Sequence, residues 1–172
     1  IVIASHAYAQ DEVLVGSVKI EGNKRVDAST LLYYIKTRVG EPLSRKQVSK
    51  DIEQIYSLGQ FKDIRVETRK GVKGLEIVFI VEEFPSFGDV MLYGNKEVED
   101  SEIHDALKFK RGEAFQEYMI KEAKKKIKSM YQEKGFFFAK IDVVSKKSAK
   151  DLINIHIRVR EGEKVGIKGI RF

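Results

Sequence analysis

Apolar and polar residues follow the same order twice along this chain of 172 residues. In the first copy, Val18 and Ile20 alternate with polar residues, which predicts a short strand that ends at Gly22-Asn23, two residue types that tolerate positive φ. A first helix is predicted over residues 27–40 and a second helix from Ser44 onward. The predicted buried stripe of the second helix consists of Val48, Ile52, Ile55 and Tyr56.

Two more strands complete the first copy. Phe61–Thr68 alternates weakly between apolar and polar residues, whereas Leu75–Val81 is apolar on both faces. A strand that is apolar on both faces is typical of the interior of a sheet, where it has neighbours on both sides. The pattern therefore predicts that Leu75–Val81 is the central strand and that Phe61–Thr68 lies at an edge.

The second copy repeats this plan. Its helices are predicted to bury Ile103 and Leu107, then Ile120, Ala123, Ile127, Met130 and Tyr131. After an opening strand with Val90 and Leu92, its later strands are predicted to bury Phe137, Ala139, Ile141 and Val143, then Ile153, Ile155, Ile157 and Val159. The chain is therefore predicted to have an α+β fold of two tandem domains. Each domain is β-α-α-β-β, with a three-stranded mixed sheet packed against two helices.

A repeated five-residue segment supports this division. Gly22-Asn23-Lys24-Arg25-Val26 returns as Gly94-Asn95-Lys96-Glu97-Val98. We therefore expect a first domain over residues 10–84 and a second over residues 85–163. Modules repeated in this way usually present binding surfaces, which argues against a single catalytic pocket.

The two ends of the chain differ from the repeats. Residues 1–9 are mostly apolar and close with Ala7-Tyr8-Ala9, a small-x-small pattern typical of signal-peptide cleavage, so we expect the remnant of a secretory signal. In residues 164–172, Ile170 and Phe172 occupy the positions of Val18 and Ile20, which predicts the start of a third unit. On this interpretation the chain is a fragment of a longer protein.

Charge is unevenly distributed, and recognisable catalytic chemistry is absent from the sequence. Residues 10–84 carry 13 basic and 12 acidic side chains, whereas residues 85–172 carry 19 and 14, so only the second copy is noticeably basic. The chain has no cysteine, and it lacks nucleophile-elbow, phosphate-loop and metalloprotease motifs. We expect no enzyme activity, cofactor or metal site.

A basic stripe raises the alternative of nucleic-acid binding. Lys121, Lys124, Lys125 and Lys128 lie on one face of the predicted second helix of the second copy. Residues 71–74 also match a G-x-x-G pattern, but they lie between two predicted strands and not between helices. Exposed aromatics do not alternate with basic residues as a base-stacking platform requires. The stripe is therefore interpreted as an ordinary solvent face.

The order of elements, the paired Gly-Asn words and a Tyr-x-x-x-Gly-Phe pattern at Tyr131–Phe136 together resemble POTRA domains, as found in the periplasmic arm of BamA-type outer-membrane assembly factors. A looser form of the pattern occurs at Tyr56–Phe61. The resemblance implies an arm that receives unfolded outer-membrane β-barrel proteins and docks accessory lipoproteins. It also implies a membrane barrel C-terminal to these residues in the full-length chain, and a periplasmic location.

The resemblance also implies that the middle strand of each copy is an open sheet edge. An extended client could add there through its backbone. The predicted contact residues are Ile64, Arg65, Val66, Glu67 and Thr68 in the first copy, and Lys140, Ile141, Asp142, Val143 and Val144 in the second. The POTRA region of a two-partner secretion or organelle import channel remains an alternative. A division protein, which usually has one POTRA unit, is disfavoured by the two units and the apparent cleavage site.

Overall fold

The structure is a computed structural model that describes residues 13–148 and 151–166. The expected signal remnant at residues 1–9 and most of the expected third unit, residues 167–172, lie outside the described residues. The chain forms two compact units, Ile1–Glu83 and Phe84–Phe172, here called unit 1 and unit 2.

Unit 1 contains three strands and two helices. They are β1 (Val15–Glu21), α1 (Ala28–Tyr34), α2 (Arg45–Tyr56), β2 (Phe61–Gly71) and β3 (Gly74–Glu83). The sheet order is β1-β3-β2, with β1 parallel and β2 antiparallel to β3. The strand that is apolar on both faces is thus central and the weakly alternating strand lies at an edge, as the sequence predicts.

Unit 2 has the same topology. Its elements are β4 (Ser86–Tyr93), α3 (Asp100–Leu107), α4 (Tyr118–Glu133), β5 (Lys140–Lys147) and β6 (Leu152–Arg160). The sheet order is β4-β6-β5, again with one parallel and one antiparallel pairing. The predicted α+β fold with two mixed three-stranded sheets is confirmed.

Each unit has its own hydrophobic core between its helices and one face of its sheet. In unit 1 the fully buried residues include Leu31, Ile55, Ile77 and Phe79. In unit 2 they include Ile103, Ile127, Tyr131, Ile155 and Ile157. Burying apolar side chains of this size is the main source of stability in domains this small.

The first helix of unit 1 ends earlier than the sequence predicts. It stops at Tyr34 and does not continue to Gly40. The cause is the fully buried carboxylate of Asp51, which accepts the backbone N–H groups of Lys36 (2.9 Å) and Thr37 (2.9 Å) and the Thr37 hydroxyl (2.6 Å). These hydrogen bonds hold the chain after Tyr34 in an extended conformation. In the second helix, the predicted cap at Ser44 accepts the Gln47 N–H.

The prediction that Tyr56 belongs to the buried stripe of α2 is wrong. Tyr56 is 41% exposed, whereas its neighbour Ile55 is fully buried. Ile55 lies four residues before Gly59, as the buried Tyr131 lies four residues before Gly135, and both glycines have positive φ. Counted back from these glycines, Ile55 and not Tyr56 is the equivalent of Tyr131.

The prediction that Phe137 shares the buried face of the next strand is also wrong. Phe137 is 55% exposed, and Phe136 is buried in its place. The reason is that β5 begins only at Lys140, so residues 136–139 form a turn in which the strand alternation does not apply. From Ala139 onward the predicted alternation holds, because Ile141 and Val143 are buried.

In each unit the repeated Gly-Asn segment forms a loop that a glutamate holds in place. In unit 1, Glu83 at the end of β3 is nearly buried, and its carboxylate accepts the backbone N–H groups of Lys24 (2.7 Å), Arg25 (2.9 Å) and Val26 (3.1 Å). Its other oxygen accepts from Arg25 Nε at 2.8 Å. The Asn23 side chain closes the same loop by donating to the Val26 carbonyl.

Unit 2 makes the same contact with a different side-chain hydrogen-bond donor. Glu161 accepts the N–H groups of Lys96 (2.7 Å) and Glu97 (2.8 Å), and Glu97 occupies the position of Arg25. The missing guanidinium donor is replaced by the Tyr131 hydroxyl, which donates to Glu161 at 3.0 Å. Burial and then this hydrogen bond to Glu161 raise the pKa of Tyr131 above its ordinary value, so the phenol stays protonated.

Candidate functional site: the open sheet edges

Each sheet has two edge strands, and the chain covers part of one of them. Beside β1, Val15 exchanges backbone hydrogen bonds with Gly40 (2.8 Å) and Glu41 (2.9 Å). Beside β4, Phe87 does the same with Gly112 (2.9 Å) and Glu113 (2.8 Å). The loop after the first helix therefore protects the start of the first strand in both units.

The outer edge of β2 is open over most of its length. The N–H of Ile64 donates to the Tyr56 hydroxyl at 3.0 Å, so its backbone faces away from β3. In an antiparallel pair every second residue directs both backbone groups toward its partner strand. The backbone groups of Val66, Thr68 and Lys70 therefore also face outward. Within residues 13–148 and 151–166 these residues pair with no strand other than β3.

The outer edge of β5 is open in the same way. Ser148 donates its N–H to the Leu152 carbonyl at 2.7 Å, which fixes the alternation of the β5–β6 ladder. By that alternation Lys140, Asp142, Val144 and Lys146 direct their backbone groups toward β6. Ile141, Val143, Ser145 and Lys147 face outward, and no other strand of the described chain pairs with them.

The structure places all of the predicted contact residues on β2 and β5, and the alternation divides them into two sets. Ile64, Val66, Thr68, Ile141 and Val143 direct their backbone groups outward. Arg65, Glu67, Lys140, Asp142 and Val144 instead direct theirs to the central strand. Sequence reasoning missed Lys70, Ser145 and Lys147, because the two-residue alternation of the ladder cannot be assigned before its register is known.

The side of the unit 1 sheet that faces away from the helices is covered by ion pairs. Arg69 contacts Glu21 (2.7 Å) and Glu67 (3.2 Å), Lys19 contacts Glu76 (2.5 Å), and Lys62 contacts Glu82 (2.7 Å). The hydrogen bond from Arg69 lowers the pKa of Glu21 below its usual range, so this carboxylate stays charged at neutral pH. We call this side of each sheet its open face.

The open face of unit 2 carries basic and aromatic side chains together. Arg158 and Arg160 are exposed on β6, and Lys140 and Lys146 are exposed on β5. Tyr93 stacks against His156 on the same face, with ring centroids 6.3 Å apart. Among the described residues of this face, Tyr93 is a single exposed aromatic side chain beside several basic ones, which is not the alternation of aromatic and basic residues that a base-stacking platform requires. The predicted lysine stripe on α4 is exposed, as expected for a solvent face.

The described residues contain no cluster of His, Cys, Asp or Glu side chains that could hold a metal ion. No helix among them is long and apolar enough to cross a bilayer. The geometry that these residues do provide is unpaired strand edges, including the outer edges of β2 and β5, and this favours binding through the backbone.

Comparison with known proteins identifies the fold. The POTRA family, described as surface antigen variable number repeat, matches residues 13–83 and 85–162, one match for each unit. The chain belongs to the POTRA family. The recognition of POTRA domains of the BamA type from the sequence is confirmed, and with it the periplasmic location of this region in an outer-membrane protein.

Two curated relatives show the extent of the similarity. The outer membrane protein assembly factor BamA of Nitratidesulfovibrio vulgaris is 26% identical over 158 residues, which cover 91% of this chain and 20% of the relative. The BamA of Buchnera aphidicola is 26% identical over 167 residues, covering 95% of this chain and 26% of the relative. The chain thus spans about a fifth to a quarter of the length of these relatives.

The fold is also that of a solved structure. The N-terminal domain of Omp85 from the thermophilic cyanobacterium Thermosynechococcus elongatus matches with a TM-score of 0.57 and 21% identity. The match covers 84% of this chain and 62% of that structure. At this identity the similarity supports the fold alone.

Proposed function

We propose that this chain is a POTRA arm that binds extended segments of unfolded outer-membrane proteins by adding them as strands to the outer edges of β2 and β5. The observation that carries the proposal is the pair of open edges, at Val66–Lys70 and at Ile141–Lys147, in a chain that is similar to outer membrane protein assembly factors. The arm would pass these clients to a membrane barrel C-terminal to it and would dock accessory lipoproteins of the assembly complex.

Backbone pairing suits a binding partner that varies in sequence. The N–H and C=O groups of an edge strand can pair with any extended polypeptide, so affinity depends little on client side chains. Both edges also have buried apolar side chains on their helix side, including Ile64 and Ile141, which keep the strands rigid and ready to pair. The edge of β1, by contrast, is protected at Val15 by the chain's own loop.

The alternatives fit less well. A two-partner secretion or organelle import channel would share the POTRA fold. The curated relatives are named outer membrane protein assembly factors, which favours an assembly factor over both channels. A single-unit division protein does not fit two POTRA matches. Nucleic-acid binding is supported by charge alone, on the exposed lysines of α4.

The test is to remove one outward N–H from each edge. Thr68 and Ser145 are equivalent positions, both exposed, with backbone groups that face outward. Proline is tolerated at an edge strand where the N–H side faces solvent. We therefore expect Thr68→Pro and Ser145→Pro together to weaken binding of extended client peptides at least about tenfold, an effect of about one hydrogen bond to each client.

The matched control is Thr68→Ala with Ser145→Ala, which keeps both amides and should bind normally. Val66→Pro and Val143→Pro block neighbouring outward amides and provide a second pair, with more risk to the core because Val143 is buried. Binding is followed by fluorescence anisotropy of a labelled peptide, and folding by hydrogen exchange. Undiminished binding to folded proline variants would exclude strand addition at these edges.

A further inference from the structure

The two open faces can be compared residue by residue. A Cβ added to Gly22 would lie 2.3 Å from the Val81 carbonyl oxygen, and one added to Gly94 would lie 2.3 Å from that of Val159. Val81 and Val159 are therefore equivalent positions of the central strands. The strand registers then assign an equivalent residue in unit 2 to each remaining paired position of the unit 1 sheet.

This comparison shows that unit 2 lacks the four glutamates that form ion pairs on the open face of unit 1. Four glutamates take part in the ion pairs that cover this face in unit 1. In unit 2 none of the equivalent residues is acidic: Glu21 corresponds to Tyr93, Glu67 to Val144, Glu76 to Asn154 and Glu82 to Arg160.

The basic side chains of this face in unit 2 are consequently left without acidic partners. Lys140, Lys146, Arg158 and Arg160 are exposed, and none of them forms an ion pair or hydrogen bond with a side chain of the described ranges. The acidic residue Asp142 lies on β5 directly opposite Arg158. The face therefore has a net positive charge that unit 2 does not neutralise.

We propose that the edge of β5 selects extended strands in which apolar residues alternate with acidic ones, the acidic side chains lying on the open face beside Lys140 and Lys146. This inference rests on the proposed function, strand addition, and specifies which clients unit 2 prefers.

The geometry of a ladder places these charges together. Lys140 and Lys146 direct their backbone groups toward β6, so an antiparallel strand added to β5 would meet them in non-hydrogen-bonded pairs. In such pairs the Cα atoms approach to about 4.5 Å and the two side chains share one face. Carboxylates at these client positions would stand next to the two ammonium groups.

The other set of client side chains would lie on the helix side, next to Ile141 and Val143, where apolar residues are favoured. Strands of membrane β-barrels alternate apolar and polar residues with a period of two. Such strands fit this edge in one register, and those whose polar positions are acidic fit its charge as well.

Unit 1 is expected to lack this preference. On the open face, β2 presents Asp63, Arg65, Glu67 and Arg69, which alternate in sign. Arg69 is already paired with Glu21 and Glu67. An acidic client would gain attraction at one position of β2 and lose it at the next.

The experiment uses the whole chain with Thr68→Pro, which weakens binding at the β2 edge so that the β5 edge dominates. The probes are two labelled peptides in which valine alternates with either glutamate or glutamine. We expect the glutamate peptide to bind about two- to fivefold more tightly, because two attractive cross-strand pairs, at Lys140 and Lys146, outweigh one repulsive pair at Asp142. Lys140→Gln with Lys146→Gln should reduce this ratio to about one.

The matched control is Lys121→Gln with Lys125→Gln, which makes the same change of net charge on the exposed face of α4. The ratio should persist in this variant, and its loss would mean that general attraction explains the preference and would overturn the inference. If Ser145→Pro weakens binding of both peptides, but the chain without this substitution binds the glutamate and glutamine peptides equally, the inference is wrong and strand addition stands. If Ser145→Pro has no effect on either peptide, strand addition itself fails.

Discussion

Gly22 and Gly94 are each at a position that favours glycine for two separate reasons. Both have positive φ, +86° and +80°, which L side chains rarely adopt. Both also lie against a carbonyl of the central strand, where an added Cβ would be only 2.3 Å from oxygen. The loop that Glu83 or Glu161 holds begins at this glycine, so the close approach sets how the loop enters the fold.

Gly40 and Gly112 allow the two requirements to be separated. Their φ values are +86° and +89°, but nothing lies within 4 Å of an added Cβ. We expect Gly40→Ala and Gly112→Ala to cost about 1 kcal/mol each, the conformational penalty alone. Gly22→Ala and Gly94→Ala should cost about 3 kcal/mol or more, measured by urea unfolding. Equal losses at all four positions would show that the contact with the carbonyl has no effect.

At the scale of elements, a charged contact joins the β1–α1 loop to the end of β3. Burial by itself would raise the pKa of Glu83, but the hydrogen bonds from Arg25 and from three backbone N–H groups outweigh it and lower the pKa to about 2. The folded state therefore prefers the ionised carboxylate. This contribution to stability is complete above the ordinary pKa of 4.5 and is lost as the pH falls toward 2.

Glu83→Gln should remove this contribution. We expect the variant to be less stable than the parent chain by about 2 to 3 kcal/mol at pH 7, and by about half as much at pH 3, because acid protonates Glu83 in the unfolded chain first. Hydrogen exchange of residues 24–26, measured across this range, reports the difference. Glu82→Gln is the control, since Glu82 is exposed and forms its ion pair among the described residues with the exposed Lys62, and it should change little. A difference that does not depend on pH would contradict the assigned charge.

Periodicity predicted the order and type of the elements because the signal is strong there. Leu75–Val81 is apolar on both faces and proved central, and the strand beside it proved to be an edge. Periodicity failed where a polar contact decides the structure. The buried Asp51 ends α1 early, and the Tyr56 hydroxyl is placed at the edge of β2 to accept from Ile64. Neither partner lies near in sequence, so no local pattern reveals it.

The candidate site was predictable in part for the same reason. The choice of β2 and β5 follows from the resemblance to POTRA domains, and the weak alternation of β2 also indicated an edge strand. The outward set of backbone groups depends on register. Recognising the charge difference on the open face of unit 2 required the strand registers of both sheets. The loss of four glutamates becomes visible only when the two sheets are compared position by position.

At the scale of the whole molecule, stability is divided between two cores that share no residue. All of the residues in one core cluster lie in unit 1, and all of those in the other lie in unit 2. Ile77 and Ile155 occupy the same position of the two central strands, and both are fully buried. They therefore offer matched sites at which to destabilise one unit at a time.

We expect Ile77→Ala to cost about 3 kcal/mol in unit 1, and Ile155→Ala a similar amount in unit 2, because each deletion leaves a cavity in a packed core. Each substitution should increase hydrogen exchange throughout its own unit and leave the other unchanged, since exchange protection follows the cooperative unit that opens. Exchange is measured by mass spectrometry on peptides from both units. A substitution that opened both units equally would mean that the two fold as one cooperative body, and then a client bound at one edge would stabilise the other unit as well.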